Sequence, residues 1–211
     1  MSDLPAPHRL GVLISGRGSN LFAIASAIER GRLPQAKIAV VISNRPEAPG
    51  LARAREAGLA AVAIPAQGRA RSEQDAEIVA CLRKYRVDLV CLAGYMRLLT
   101  PEFVAAFPHR ILNIHPSLLP AFAGLHAQRQ ALEYGVTVSG CTVHFVDEHL
   151  DHGPIIVQRT VPVNAGDDER SLSARILEQE HGAYAEAIAR VLSGRYRLAG
   201  RRYVEVEEAE P

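Results

Sequence analysis

The chain has 211 residues and a formal net charge of +1, with 48% hydrophobic and 22% charged residues, a balance ordinary for a soluble globular protein. No apolar run approaches the ~18 residues a membrane-spanning helix needs, and the N-terminal MSDLPAPHRL lacks the apolar core of a secretory signal. Cys81, Cys91 and Cys141 are odd in number and far apart, which argues against a disulfide framework and suits a reducing cytoplasm.

In chain order, strands alternate with helices. Leu10 to Ser15 is an apolar strand, and Ser19 to Arg30 has helical spacing, with Leu21, Ile24, Ala25 and Ile28 on one face. Lys37 to Ile42 is a second strand, Ala48 to Ala57 a helix stopped by Gly58, and Ala60 to Ile64 a third strand. Ser72 to Tyr85 is helical, with Ser72 as a loosely signalled cap. Asp88 to Ala93 reads as a strand buried on both faces. Pro101 to Phe107 is a short helix opened by proline, Ile111 to Ile114 a strand, and Ala127 to Tyr134 a helix. Thr137 to Val146 and Ile155 to Val163 read as an antiparallel pair, Asp168 to Leu192 as one long helix, and Glu205 to Pro211 as a frayed acidic tail. No linker or internal repeat divides the chain. The expected fold is therefore α/β: a single domain with a Rossmann-like, mostly parallel but mixed sheet flanked by helices. In such sheets ligands bind beyond the carboxyl ends of strands.

Basic residues are 22 arginines against the two lysines Lys37 and Lys84. The arginines are scattered and the 23 acids nearly balance the bases, so nucleic-acid binding has little electrostatic support. Codon bias is the simpler reading.

The first strand runs into Ser15-Gly16-Arg17-Gly18-Ser19-Asn20 and then a helix. Two readings fit: a cradle of backbone N–H groups for a phosphate or other anion, or a plain turn with Ser19 as the N-cap. The third glycine of the dinucleotide fingerprint is missing at Leu21, and the second strand ends in Ser43-Asn44-Arg45 without an acid for a ribose hydroxyl. No Gly-Lys-Ser/Thr follows, so a small phosphorylated substrate fits better than NAD or ATP.

Asn113-Ile114-His115-Pro116-Ser117-Leu118-Leu119-Pro120 begins on a strand whose period of two sets Asn113 and His115 on one side. Asn can donate to a developing oxyanion, and His can donate or shuttle a proton. Asp151 in Leu150-Asp151-His152-Gly153-Pro154 is either a carboxylate partner for His115 or a turn aspartate. His144, His149 and His152 crowd one stretch without standard metal spacing, and no metal site is expected. Glu180 falls on the apolar stripe of the last helix. Either a cationic substrate group or an arginine would offset the cost of burying it.

These blocks, with Leu92-Ala93-Gly94-Tyr95-Met96-Arg97 and Val143-His144-Phe145-Val146, occur in an order that resembles the phosphoribosylglycinamide formyltransferase family. These are folate-dependent enzymes of purine biosynthesis, and the resemblance runs from about Gly11 to Leu192. It implies the formyltransferase fold over 1–200, with a nucleotide-phosphate half and a folate half, and a tail at 201–211. It implies transfer of the formyl group of 10-formyltetrahydrofolate to the amine of glycinamide ribonucleotide, by direct attack and without a metal. By the same resemblance Asn113, His115 and Asp151 are catalytic. Gly18, Ser19, Asn20 and Glu180 bind the nucleotide substrate, and Arg71, Met96, Arg97, Leu98 and Val146, with Asn113 and Asp151, border the folate. A cytoplasmic monomer or homodimer without nucleic-acid or membrane partners is implied too. Ala121, Ala123, Gln128 and His152 depart from the family pattern, without removing a proposed catalytic group. Against longer formyl-folate relatives, the length and the phosphate loop favour this family. A non-catalytic anion-binding module would explain Gly16 to Asn20 but not Asn113, His115 and Asp151 together.

Overall fold

A computed structural model describes residues 6–206, and the chain divides into two compact units, Met1–Leu112 and Asn113–Pro211. The first unit alternates β1 (His8–Ile14), α1 (Ser19–Glu29), β2 (Ala36–Ser43), α2 (Pro49–Glu56), β3 (Ala61–Ala63), α3 (Arg71–Lys84), β4 (Leu89–Leu92) and α4 (Pro101–Ala106). Its strands lie in the order β3-β2-β1-β4, and every neighbouring pair among them is parallel. Parallel neighbours need a crossover, and the helix between successive strands supplies it. All four residues of β4 are buried, which explains the unbroken apolar run there.

β5 (Ile111–His115) spans the boundary between the units. The second unit continues with α5 (Ala127–Tyr134), β6 (Val138–Phe145), β7 (Ile155–Pro162), α6 (Glu169–Leu192), β8 (Tyr196–Ala199) and β9 (Arg202–Glu205). β6 and β7 are antiparallel, as the sequence suggests, from Val138↔Pro162 to His144↔Ile155. Helix α6 packs on both strands through Leu172, Ile176, Tyr184 and Ile188, all fully buried. The α/β class and its mixed strand directions match the expectation.

Local signals set most helix ends. Gly58 follows α2 at φ 72°, and the Leu59 and Gly58 amides return to Ala54 and Arg55 carbonyls at 2.9 Å each, closing the helix as glycine at that position allows. Asp168 caps α6: its carboxylate accepts from the Ser171 amide while the Ser171 hydroxyl accepts from the Asp168 amide.

Two expectations fail, and one of two open readings is set aside. The cap of α3 is Ala70, with no side-chain hydrogen bond, and Ser72 lies inside the helix. The cap of α1 is Gly18 at φ 73°, not Ser19. The acidic tail does not begin to fray at Glu205: that residue ends β9, which forms an antiparallel hairpin with β8 turning at Gly200. Residues 207–211 of that tail lie outside the described residues.

Candidate active site

Strand β5 delivers two polar side chains to one carboxylate. Asn113 Nδ2 lies 3.4 Å from Asp151 Oδ1, and His115 Nδ1 lies 3.3 Å from Asp151 Oδ2. The period of two along β5 makes this convergence possible. Asp151 is therefore the carboxylate partner of His115. It adopts φ 49°, a left-handed conformation that aspartate tolerates better than most residues. Its Oδ2 also accepts from the Gly124 amide at 2.8 Å. Burial alone would push the Asp151 carboxyl up; the His144 imidazole, the Gly124 amide and the His115 imidazole outweigh burial and hold it below the usual carboxylate range.

The His115 ring meets acceptors on both sides, because Nε2 lies 2.9 Å from the Phe122 carbonyl. Both contacts are satisfied as hydrogen bonds when each ring nitrogen carries hydrogen. His144 also belongs to the cluster, although its sequence context gives it no role. It is 2% exposed, with Nδ1 at 2.7 Å from the Phe145 carbonyl and Nε2 at 3.2 Å from Asn113 Nδ2. The same Nε2 lies 3.7 Å from Asp151 Oδ1, so the His144 ring stands against both the Asn113 amide and the carboxylate. The β6–β7 register shifts between Val143 and His144, and such bulges re-aim side chains beside sites. No alternation survives along β6, where seven of eight residues are buried, so no local pattern marks His144 as part of the site.

The segment after His115 is fixed from below by Thr142. The Thr142 hydroxyl donates to the Ser117 carbonyl at 2.7 Å and accepts from the Leu119 amide at 3.0 Å. Gln158 Nε2 donates to the Leu119 carbonyl at 2.9 Å, and the Ser117 hydroxyl donates to the Ala121 carbonyl at 2.6 Å. On the other side, Gly153 cannot be replaced, since a Cβ there would fall 1.9 Å from the Phe145 carbonyl oxygen.

In the first unit, the loop after β1 carries an uncapped helix start. Gly18 is the α1 cap and supplies no side-chain cap hydrogen bond, so the alternative reading of Ser19 as N-cap is set aside. Ser15 braces the loop, as its hydroxyl donates to Asn44 Oδ1 at 2.6 Å and accepts from the Met96 amide at 2.8 Å. Gly50, which no sequence motif marks, lets α2 approach this loop. Its amide donates to the Gly16 carbonyl at 3.0 Å, and a Cβ would stand 2.7 Å from that oxygen.

The other expected site residues are distributed as follows. Arg71 opens α3, Met96 and Leu98 are exposed at 60% and 49%, and Arg97 has its Nε buried. Val146 follows β6 and is half-buried. Glu180 is 8% exposed on α6, and its charge adds to burial in raising the Cys141 thiol. The three histidines of the β6–β7 stretch separate: His144 joins Asn113, whereas His149 and His152 gather with Asp147. Among the described residues, no helix is long and apolar enough to cross a membrane.

The sequence profile of the formyl transferase family matches residues 8–188. The chain is 46% identical over 188 residues to the phosphoribosylglycinamide formyltransferase of Escherichia coli, covering 89% of this chain and 88% of that one. It is 48% identical over 205 residues to the trifunctional purine biosynthetic protein adenosine-3 of Drosophila pseudoobscura pseudoobscura, of whose length it spans only 15%. The crystal structure of glycinamide ribonucleotide transformylase 1 from Symbiobacterium toebii superposes with a TM-score of 0.92 at 53% identity, covering 95% of both chains.

Proposed function

The chain belongs to the formyl transferase family, and from that premise we propose that it transfers the formyl group of 10-formyltetrahydrofolate to the amine of glycinamide ribonucleotide, giving formylglycinamide ribonucleotide and tetrahydrofolate. The observation that carries this reading is the convergence of Asn113 and His115 on the buried Asp151 carboxylate. The relatives of similar length, from Escherichia coli and Symbiobacterium toebii, bear names of this activity. The further activities that the name of the trifunctional relative implies are not carried over.

The amine nitrogen attacks the formyl carbon, and the carbonyl electron pair moves onto oxygen. Asn113 and His115 donate hydrogen bonds to that oxyanion. The tetrahedral adduct collapses, the carbon–nitrogen bond to the folate breaks, and the leaving nitrogen takes a proton as the attacking amine loses one. Asp151 accepts from His115 Nδ1 and so orients the ring with Nε2 toward the oxyanion. His115 Nε2 faces the Phe122 carbonyl, so the formyl oxygen takes over a donor already directed by the protein. Gly18, Ser19 and Asn20 receive the substrate phosphate at the uncapped start of α1, and Glu180 receives the ribose or glycinamide portion. Arg71, Met96, Arg97, Leu98 and Val146 border the folate. No metal ion enters this chemistry.

The test is an absorbance assay with glycinamide ribonucleotide and 10-formyltetrahydrofolate, run with and without chelator. Turnover indifferent to chelator is expected. Absence of turnover overturns the assignment, and loss of turnover with chelator overturns the metal-free route.

A further inference from the structure

The β6–β7 loop carries a second group of side chains that formyl transfer does not use. Asp147, His149 and His152 each offer a donor atom, and the three atoms lie within 4.8 Å of one another. Asp147 Oδ2 lies 2.9 Å from His152 Nδ1, and Asp147 Oδ1 accepts from the His149 amide at 2.9 Å. The His149 and His152 ring centroids are 5.1 Å apart. We propose that Asp147, His149 and His152 form a binding site for one divalent transition-metal ion of the zinc type.

The donor set selects this class of ion. Two imidazoles and one carboxylate suit zinc, nickel or copper, whereas magnesium and calcium prefer oxygen donors throughout. Bonds of about 2.0–2.1 Å to a tetrahedral ion separate its ligand atoms by roughly 3.3 Å, so donors as far as 4.8 Å apart must close by up to about 1.5 Å while Asp147 Oδ2 and His152 Nδ1, at 2.9 Å, open slightly. Both histidines are exposed and Asp147 is half-buried, so their side chains can reorient over a fixed backbone once the present contacts of Asp147 and His152 are exchanged for the ion. That backbone is fixed because the Phe145 amide donates to the Pro154 carbonyl at 2.9 Å across the base of the loop and Gly153 packs on the Phe145 carbonyl. Water completes the coordination on the solvent side.

One group competes with the ion. Arg201, in the β8–β9 turn, donates to His152 Nε2 and to the His152 carbonyl. In that arrangement the ring hydrogen sits on Nδ1, toward Asp147. Metal binding at Nδ1 moves that hydrogen to Nε2, which can then no longer accept from Arg201, and the guanidinium must swing away. The site stands apart from formyl transfer in its chemistry.

The experiment uses untagged, chelator-stripped protein in equilibrium dialysis against zinc, with metal analysis, and cobalt as an optical probe. One zinc per chain is expected, together with a cobalt spectrum lacking thiolate charge transfer. His149→Ala/His152→Ala should weaken binding by at least about tenfold, with an unchanged circular dichroism spectrum because both side chains are exposed. Arg201→Ala should tighten it. No zinc retained at micromolar concentration, equal binding in the double variant, or a thiolate band pointing to a cysteine would each overturn the proposal.

Discussion

His115 and Asp151 meet at 3.3 Å, Nδ1 to Oδ2, with their side chains only 6% and 7% exposed. Little water reaches this pair, so its hydrogen bonds act in a medium of low effective dielectric. The same carboxylate holds the Gly124 amide, which ties the loop after His115 to the loop after β6. The carboxylate proposed to act in catalysis thus also joins two loops.

Thr142 is the first test of that shared geometry. Thr142→Val keeps the shape of the side chain and removes the hydroxyl, leaving the Leu119 amide and the Ser117 carbonyl without that partner. A buried polar group left unpaired costs about 1–3 kcal/mol. Chemical denaturation should show a loss of that size, and kcat should fall because the segment after His115 loosens.

Gly50 tests the phosphate loop separately. Gly50→Ala drives a methyl group against the Gly16 carbonyl, 2.7 Å from where the Cβ must lie. On the proposed substrate placement, steady-state kinetics should show a raised KM for glycinamide ribonucleotide with kcat little changed, because the displaced groups would hold substrate without touching the formyl carbon. A fall confined to kcat would remove the loop from phosphate binding.

Much of this was legible in the sequence, and the misses have physical causes. Long periodic segments such as α6 and the apolar run of β4 declared themselves. Asn113 and His115 declared their common side through the strand period. The hairpin of β8 and β9 did not, since Arg195, Arg197, Arg201 and Arg202 dilute its apolar alternation, and β8 is only half-buried. Ser19 and Ser72 look like caps, but backbone geometry gives those positions to Gly18 and Ala70. His144 and Gly50 act through close approaches between segments distant in sequence, which no local pattern encodes.

Asp167 sets part of the acid response. Its carboxylate takes two hydrogen bonds from Arg175, at 2.8 Å each, and one from the Asn164 amide at 2.7 Å. Arg175, then the Asn164 amide, hold its carboxyl far below the usual range. A carboxyl depressed on folding adds stability above its unfolded pKa of about 3.9, and that stability fades as pH falls toward the folded value. Asp167→Asn should therefore be less stable than the parent at pH 7, with the gap shrinking in denaturation curves taken below about pH 4. A gap independent of pH would refute the charge-based account.

The cysteines should differ in reactivity. Cys91 and Cys141 are buried and Cys81 is partly exposed; burial, reinforced by Glu180, pushes the Cys141 thiol up to about 12. Thiolate is the reactive form. Iodoacetamide at pH 8 should label native protein at Cys81 alone and denatured protein at all three cysteines. Mass spectrometry of native protein carrying label on Cys141 would contradict the burial described.

The most direct test of the account is the kinetics of Asp151→Asn in the formyl-transfer assay. The amide keeps the size of the side chain but removes the carboxylate proposed to orient His115. kcat should fall by about 10²–10⁴-fold while KM for both substrates stays near the parent values, because the loss is felt in the transition state. An unchanged kcat, or a loss appearing only as a raised KM, would contradict the role of Asp151 and with it the assignment of Asn113 and His115 as the groups that stabilise the oxyanion.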